Sequence, residues 1–293
     1  ALTLGGFLLR VPGLGAQSLW RDEVDAIWFA LRPLEQTLSM FTEMAQNGAL
    51  FFLGLRPWLQ MMGTSEFVLR IPSAMAGVAA IPMLWLLARR LVGDGIVPLL
   101  AAALLAVNPY AVWYGQEGKM YTIITFLALV ASWCWIHGVE TRKWRWWLAY
   151  AAIISLAMYT HLLAILIIPL HLLWFFIAFP TARRAWKGYL TALALLTLPY
   201  LPLLAWQWRM LLADRPVTGF QFTPLPEMLR TILLNQARGF MPGDPLLWLA
   251  PIWFIGAIGL LLGFTEMGAR RVSSDSAPIA PERRFLMLAA WAI

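Results

Sequence analysis

The chain reads as a succession of long apolar runs broken by short polar punctuation, without the one-sided periodicity of a soluble amphipathic helix. A hydrocarbon core of roughly 30 Å requires about 20 helical residues to cross it. That template predicts spans near 1–18, 67–88, 96–113, 119–138, 146–160, 162–179, 188–208 and 245–264, with a further one beginning at about Phe285. The stretch 146–179 carries no charge inside it and is too long for one ordinary crossing. It is divided at Tyr159-Thr160-His161, where three polar-capable groups fall together.

Two long segments, 19–66 and 209–244, fall between spans on one side of the membrane. Within the first, Leu50-Phe51-Phe52-Leu53 with Leu55, Trp58, Leu59, Met61 and Met62 predicts an apolar helix too short to cross, which should lie along the interface. The second carries Pro216, Pro224, Pro226, Pro242 and Pro245 and reads as a loop able to cover a site. The polar run 273–278 reads as a solvated linker. The chain opens inside one apolar run and closes inside another at Trp291-Ala292-Ile293, so both ends are expected to be cut from a single transmembrane domain covering 1–293.

Composition turns this pattern into a class. With 61% hydrophobic and 13% charged residues in 293, and a mean hydropathy of +0.70, there is too little polar surface to coat a soluble globule. The expected fold is an all-α, polytopic transmembrane helical bundle with interfacial helices in its first external loop. Seventeen tryptophans suit a bilayer interface, and Trp20, Trp113, Trp144, Trp146, Trp147 and Trp208 stand beside charged or turn residues as belt positions would.

The net charge of +7 is scattered in short clusters and forms no continuous stripe, which argues against a nucleic-acid partner. Arg89/Arg90, Arg142/Lys143/Arg145, Arg183/Arg184/Lys187 and Arg270/Arg271/Arg283/Arg284 concentrate in alternate loops. The positive-inside rule puts those loops in the cytoplasm and the segments 19–66 and 209–244 outside. Arg10, inside the first run, is expected to reach the outer interface by snorkelling. The single cysteine, Cys134, excludes a disulfide framework or a cysteine metal site within the chain.

Two acidic knots share the outer side. Trp20-Arg21-Asp22-Glu23-Val24-Asp25 places three carboxylates just after the first span, and Gly115-Gln116-Glu117-Gly118-Lys119 sits between two later ones. Ionisable groups held where desolvation is costly are functional candidates. The first knot also fits a plain helix start capped by Ser18 or Asp22, and the second an ordinary turn. His137, His161 and His171 show no metal-ligand spacing, so no dedicated zinc site is expected; the carboxylates could hold a divalent ion, although no spacing demands one. Only His161, at the outer break, lies where chemistry could occur. No Gly-rich phosphate loop with Lys-Ser or Lys-Thr is present.

At these residues the sequence resembles the GT-C superfamily of membrane glycosyltransferases, in particular the bacterial branch related to protein O-mannosyltransferases and lipid A aminoarabinose transferases. Three blocks within roughly residues 1–180 carry the likeness. They are Ser18-Leu19-Trp20-Arg21-Asp22-Glu23; Asn47-Gly48-Ala49-Leu50-Phe51-Phe52 through Gly63 to Ala74; and Asn108-Pro109 through Gln116-Glu117-Gly118-Lys119-Met120-Tyr121. The chain departs from the family at Asn47-Gly48-Ala49-Leu50, where His-Pro-Pro-Leu or Gly-Pro-Leu is usual, and at Lys119, where Arg is commoner.

The resemblance implies transfer of a sugar from a polyprenyl phosphate carrier to a protein, lipid or glycan acceptor, with inversion, at the extracytoplasmic face of a bacterial inner membrane. By motif position Asp22 would be the base, with Glu23 and Glu117 orienting the acceptor or tuning its charge. Lys119, Arg70 and Arg56 would meet the lipid phosphate, and Tyr121 and His161 complete the substrate-binding set. The 47–62 helix would wall a groove for the prenyl chain, with 209–244 as lid. Two other readings stay open: a non-catalytic subunit of a larger membrane complex, and a transporter, which the lack of an inverted repeat disfavours.

Overall fold

The structure is a computed structural model that describes residues 1–43, 46–196, 223–238 and 279–292, with residues 254, 256–258 and 261–262 between the last two. It is a helical bundle, with no strand among the described residues. Among the described residues two helices are each long and apolar enough to cross a membrane: α5, Glu66–Val92, and α8, Tyr121–Thr141. The number rises to four if each of two bent pairs is one span. One is α6, Ile96–Val107, with α7, Pro109–Gly115, bent by 56°; the other is Leu162–Ile177 with Phe179–Leu196, bent by 93°. α9, Trp144–Thr160, packs along α8.

Local chemistry sets the ends of α5. The Ser65 hydroxyl accepts from the Val68 N–H at 3.4 Å, Glu66 lies in the first turn, and Arg89 and Arg90 lie in the last. Each charge therefore complements the end of the helix dipole that it occupies. At the Arg end, Glu140 of α8 binds both Arg90 and Arg284, so the helix Pro281–Ala292 is fastened there too. Charges are thus segregated: this basic end lies opposite the end where α5 and α8 begin and α9 finishes.

The main core is aromatic. Trp135, Trp174 and Tyr150 are fully buried around His171, which is hydrogen-bonded between Ser132 and Tyr150 at 3.0 Å on each side. Trp147, expected at the interface, is instead 2% exposed. A Cβ at Gly138 or Gly188 would come within 2.7 or 2.2 Å of its indole, so these two glycines make the slot that admits the ring.

Several expectations change. The first run forms only α1, Leu2–Arg10, nine residues that are too short to cross alone. The run 96–113 is broken at Asn108, because Pro109 has no N–H to continue the ladder. Arg10 does not snorkel; it is 1% exposed. Its Nη2 donates to Leu105 O at 2.9 Å and its Nη1 to Ala106 O at 2.8 Å, and Leu105 O is the carbonyl that an amide at position 109 would have served. Gly77 and Gly115 leave room for this guanidinium, whose Nε would stand 3.2 Å from a Cβ at either.

An unsatisfied carbonyl in hydrocarbon is expensive, so Arg10→Met should lower stability in nanodiscs by about 1–3 kcal/mol. Adding Pro109→Ala, which restores the missing amide, should recover part of that loss in a thermal melt. A double variant no more stable than Arg10→Met alone would refute this pairing.

The division at Tyr159-Thr160-His161 is where α9 ends; a 3-10 turn, Leu162–Leu166, follows and leads into α10, Ile167–Ile177. In the segment 19–66 lie α2, Arg21–Leu31, α3, Leu34–Ser39, and α4, Ala49–Met62. The helix expected at Leu50–Met62 is therefore present. These helices form a small core of their own, in which Ala26 and Ala30 of α2 meet Phe51, Phe52 and Leu55 of α4, with Leu69 and Met120 beneath. Met61 and Met62 remain exposed at 81% and 54%. The segment 209–244, expected as a loop, contains the helix Leu225–Arg238, which contacts α7. Residues 209–222 and 239–244 of that segment, the span expected at 245–264 apart from its few helical residues, Trp208 and the 273–278 linker lie outside the described residues.

Candidate active site

Helix α2 presents three faces, and they organise the site. Glu23, Ala26 and Ala30 are buried; Val24, Trp28 and Leu31 point outward; Asp22 and Asp25, three residues apart, are half-buried on the remaining side. The helix begins after Trp20 rather than at Ser18 or Asp22. Glu23 reaches back to accept the Trp20 N–H at 3.4 Å, and the two acids of the first turn suit the helix dipole.

Glu23 joins three distant segments. Its Oε1 accepts from Arg70 Nε at 2.8 Å and from the Gly118 N–H at 2.8 Å, and its Oε2 accepts from Arg70 Nη2 at 2.6 Å. Arg70 spends its remaining donors on the carbonyls of Leu14, Gln17 and Ser18. Burial works against the Glu23 charge, but the Arg70 hydrogen bond, the Gly118 amide and the Arg70 charge outweigh it, so its pKa lies below the ordinary value. Gly118 is required here: a Cβ would stand 2.4 Å from Leu69 Cγ.

This geometry corrects three expectations. Arg70 has all five N–H donors engaged and offers none to a phosphate. Glu23 is a positioning residue, enclosed at 0% exposure, with no free oxygen for an acceptor. Arg56 donates to Ala30 O and Arg32 O, at the C-terminal end of α2, roughly 12 Å along the helix from Asp22.

The structure does gather Asp22, Glu117, Lys119, Tyr121 and His161. Lys119 is buried, 9% exposed, and feels the charges of Asp22, Asp25, Glu117 and Glu23. Burial lowers its pKa, which the carboxylates partly restore; burial raises that of Glu117. Its loop is fixed to α5, where the Ser73 hydroxyl donates to Lys119 O and Thr122 donates to Ser73 O. His161 sits at the α9 break with its ring 6.0 Å from that of Tyr121. Its Nδ1 accepts from the Leu163 N–H, and burial together with the Lys119 charge lowers its pKa, so the ring is neutral. Among the described residues no three His, Cys, Asp or Glu side chains are grouped to hold a metal ion.

Four further residues belong here. Asp25 shares the Asp22 face, a spacing that the sequence displays. Asn47 Oδ1 accepts from the Leu162 N–H at 2.9 Å, tying the segment before α4 to the α9 break. Tyr110 and Tyr114, four apart on α7, continue the row of rings from Tyr121. An apolar groove of about 310 Å³ runs between α4, α5, α8 and α9, lined by Leu50, Phe51, Trp58, Pro72, Ile123 and Thr160 among others, of which Thr160 adjoins His161 in the chain.

An all-α bundle, among the described residues, with helices long and apolar enough to cross a membrane defines an integral membrane protein. The family model for dolichyl-phosphate-mannose-protein mannosyltransferase matches residues 49–206, more than half of the chain, and the chain belongs to that family. It is 25% identical over 203 residues to "Putative mannosyltransferase YycA" of Bacillus subtilis (strain 168), covering 65% of this chain and 30% of that protein. It is likewise 25% identical over 202 residues to "Putative mannosyltransferase YkcB" of the same organism, covering 64% and 28%. The chain thus spans under a third of the length of these relatives. No solved structure matches it.

Proposed function

We propose that this chain carries the catalytic site of a membrane glycosyltransferase that moves a sugar from a polyprenyl-phosphate donor to an acceptor hydroxyl, with inversion, at the extracytoplasmic face of a bacterial inner membrane. The observation that carries the reading is the buried Lys119 within the field of Asp22, Asp25 and Glu117, at a rim adjoined by an apolar groove. Family membership supports the transferase class. The basic end of the bundle supports the orientation, because Arg89, Arg90, Arg142 and Lys143 there would face the cytoplasm.

In this reading the prenyl chain lies in the apolar groove and its phosphate meets the Lys119 ammonium. Asp22, half-buried and without a hydrogen bond among the described residues, takes the acceptor proton. As that proton leaves, the acceptor oxygen bonds to the anomeric carbon and the carbon–phosphate oxygen bond breaks, its electron pair departing with the phosphate. Lys119 stabilises the charge that develops there. The neutral His161 adds no competing cation.

The test is a transfer assay with the purified full-length protein in nanodiscs, offering labelled sugar on polyprenyl phosphate or on a nucleotide. Product formed only from the lipid donor, with one polyprenyl phosphate released per transfer and the anomer inverted, is the expected result. Transfer from the nucleotide sugar, or none from any lipid donor by folded protein, overturns the reading.

A further inference from the structure

Glu117 holds a buried acceptor with nothing to accept. Its Oε1 takes the indole N–H of Trp113 at 2.7 Å. Oε2 is closed to solvent and has no hydrogen-bond partner among the described residues. A buried carboxylate oxygen in that condition is costly to keep and marks a place where a donor group arrives.

Trp113, which holds Oε1, is the chain neighbour of Tyr114, and Tyr114 stands in a row of rings. Tyr110, Tyr114, Tyr121 and His161 are each half-buried and follow one another with centroids 4.6, 4.8 and 6.0 Å apart. They meet at 71°, 73° and 56°, so faces alternate with edges along the row. The charge of Glu117 acts on Tyr114, Tyr121 and Lys119 alike, so all three lie within its field.

The ligand must answer both features. A prenyl chain would cover the rings but leave the oxygen unpaired. A phosphate would meet Lys119 but would be repelled by Glu117. A pyranose answers both, because its C–H face lies against the electron-rich face of a tyrosine ring while a hydroxyl on its rim donates to the carboxylate. Glu117 and Lys119 are two residues apart in one loop and each feels the charge of the other, so a ring attached directly to the phosphate would lie within the field of both.

We infer that the glycosyl group of the donor is seated here, with one ring hydroxyl donating to Glu117 Oε2 and the apolar face of the sugar on Tyr114 and Tyr121. This rests on the lipid-linked donor proposed above and adds the residues that read the sugar.

The test measures affinity of the full-length protein in nanodiscs for three probes: bare polyprenyl phosphate, polyprenyl phosphate mannose, and a set of monodeoxy versions of the latter. The mannosyl lipid should bind wild type more tightly than the bare lipid, and one deoxy position should cost about 10-fold or more, as for a hydrogen bond to a charged group. In Glu117→Ala that penalty should vanish while binding of the bare lipid is not weakened, which also shows that the variant is folded. Tyr114→Ala should reduce the mannosyl advantage and Tyr114→Phe should keep it. Equal deoxy penalties in wild type and Glu117→Ala, with both lipids still bound, refute this seat alone. Failure of wild type to bind either lipid removes the donor reading and this inference together.

Discussion

Asp22→Asn is expected to slow sugar transfer by about 10²–10⁴-fold, the contribution of a well-placed general base, while melting temperature and donor affinity stay close to wild type. The separation is possible because the two neighbouring acids divide the work. Glu23 ties the rim together through hydrogen bonds. Asp22, three residues from Asp25 on the same face, makes no hydrogen bond among the described residues, so an isosteric amide disturbs little beyond the proton acceptor. Single-turnover assays with saturating lipid donor would check this. A rate within about threefold of wild type would remove Asp22 as the base, and the same assay on Asp25→Asn would show whether the function lies one helical turn further on.

The second large effect is on folding. Glu23→Gln or Arg70→Leu should each destabilise the protein by about 3–5 kcal/mol, the cost of stranding one partner of a buried ion pair. Replacing both with apolar residues should not restore stability, unlike the case of an isolated pair. The amides of Trp20 and Gly118 and the carbonyls of Leu14, Gln17 and Ser18 would still lose their partners.

The acid dependence follows from the sign of the shift. The Glu23 pKa is lower in the folded protein than its ordinary value of 4.5, so its stabilisation is fully present above that value and is lost as pH falls through the folded pKa. Melting temperature should therefore hold from neutral pH down to about pH 5 and then drop. In Glu23→Gln the baseline should be lower and the acid drop smaller; an unchanged acid drop would mean that other groups control it.

What the sequence reveals depends on whether the cause is local. α5 and α8 are legible because length and hydropathy decide them, and the end of α9 is legible because Tyr159, Thr160 and His161 coincide. The helix Leu225–Arg238 was obscured by Pro224 and Pro226, read as loop markers, although proline is well suited to a first helical turn. The site is half legible. The acids and Lys119 announce themselves by charge in an apolar chain. The fate of each arginine does not, since it depends on which carbonyls lie within reach after folding: Arg10 serves the break at Pro109, Arg56 the end of α2, and Arg70 the linker after α1. Tyr110 and Tyr114 are hidden for the opposite reason, because aromatics at a membrane interface are commonplace.

The Glu23–Gly118 contact also has a consequence in time. The two residues are 95 positions apart, and a chain elongating at about 5–20 residues per second takes roughly 5–20 s to supply the second after the first. During that interval the carboxylate has emerged but its amide has not been made. A carboxylate stranded in hydrocarbon for seconds would be untenable, whereas one lodged among headgroups stays hydrated until Arg70 and then Gly118 arrive. The rim is therefore the place where this knot can be tied last, and a ribosome stalled before residue 118 should leave a nascent chain whose α2 is inserted in no fixed position.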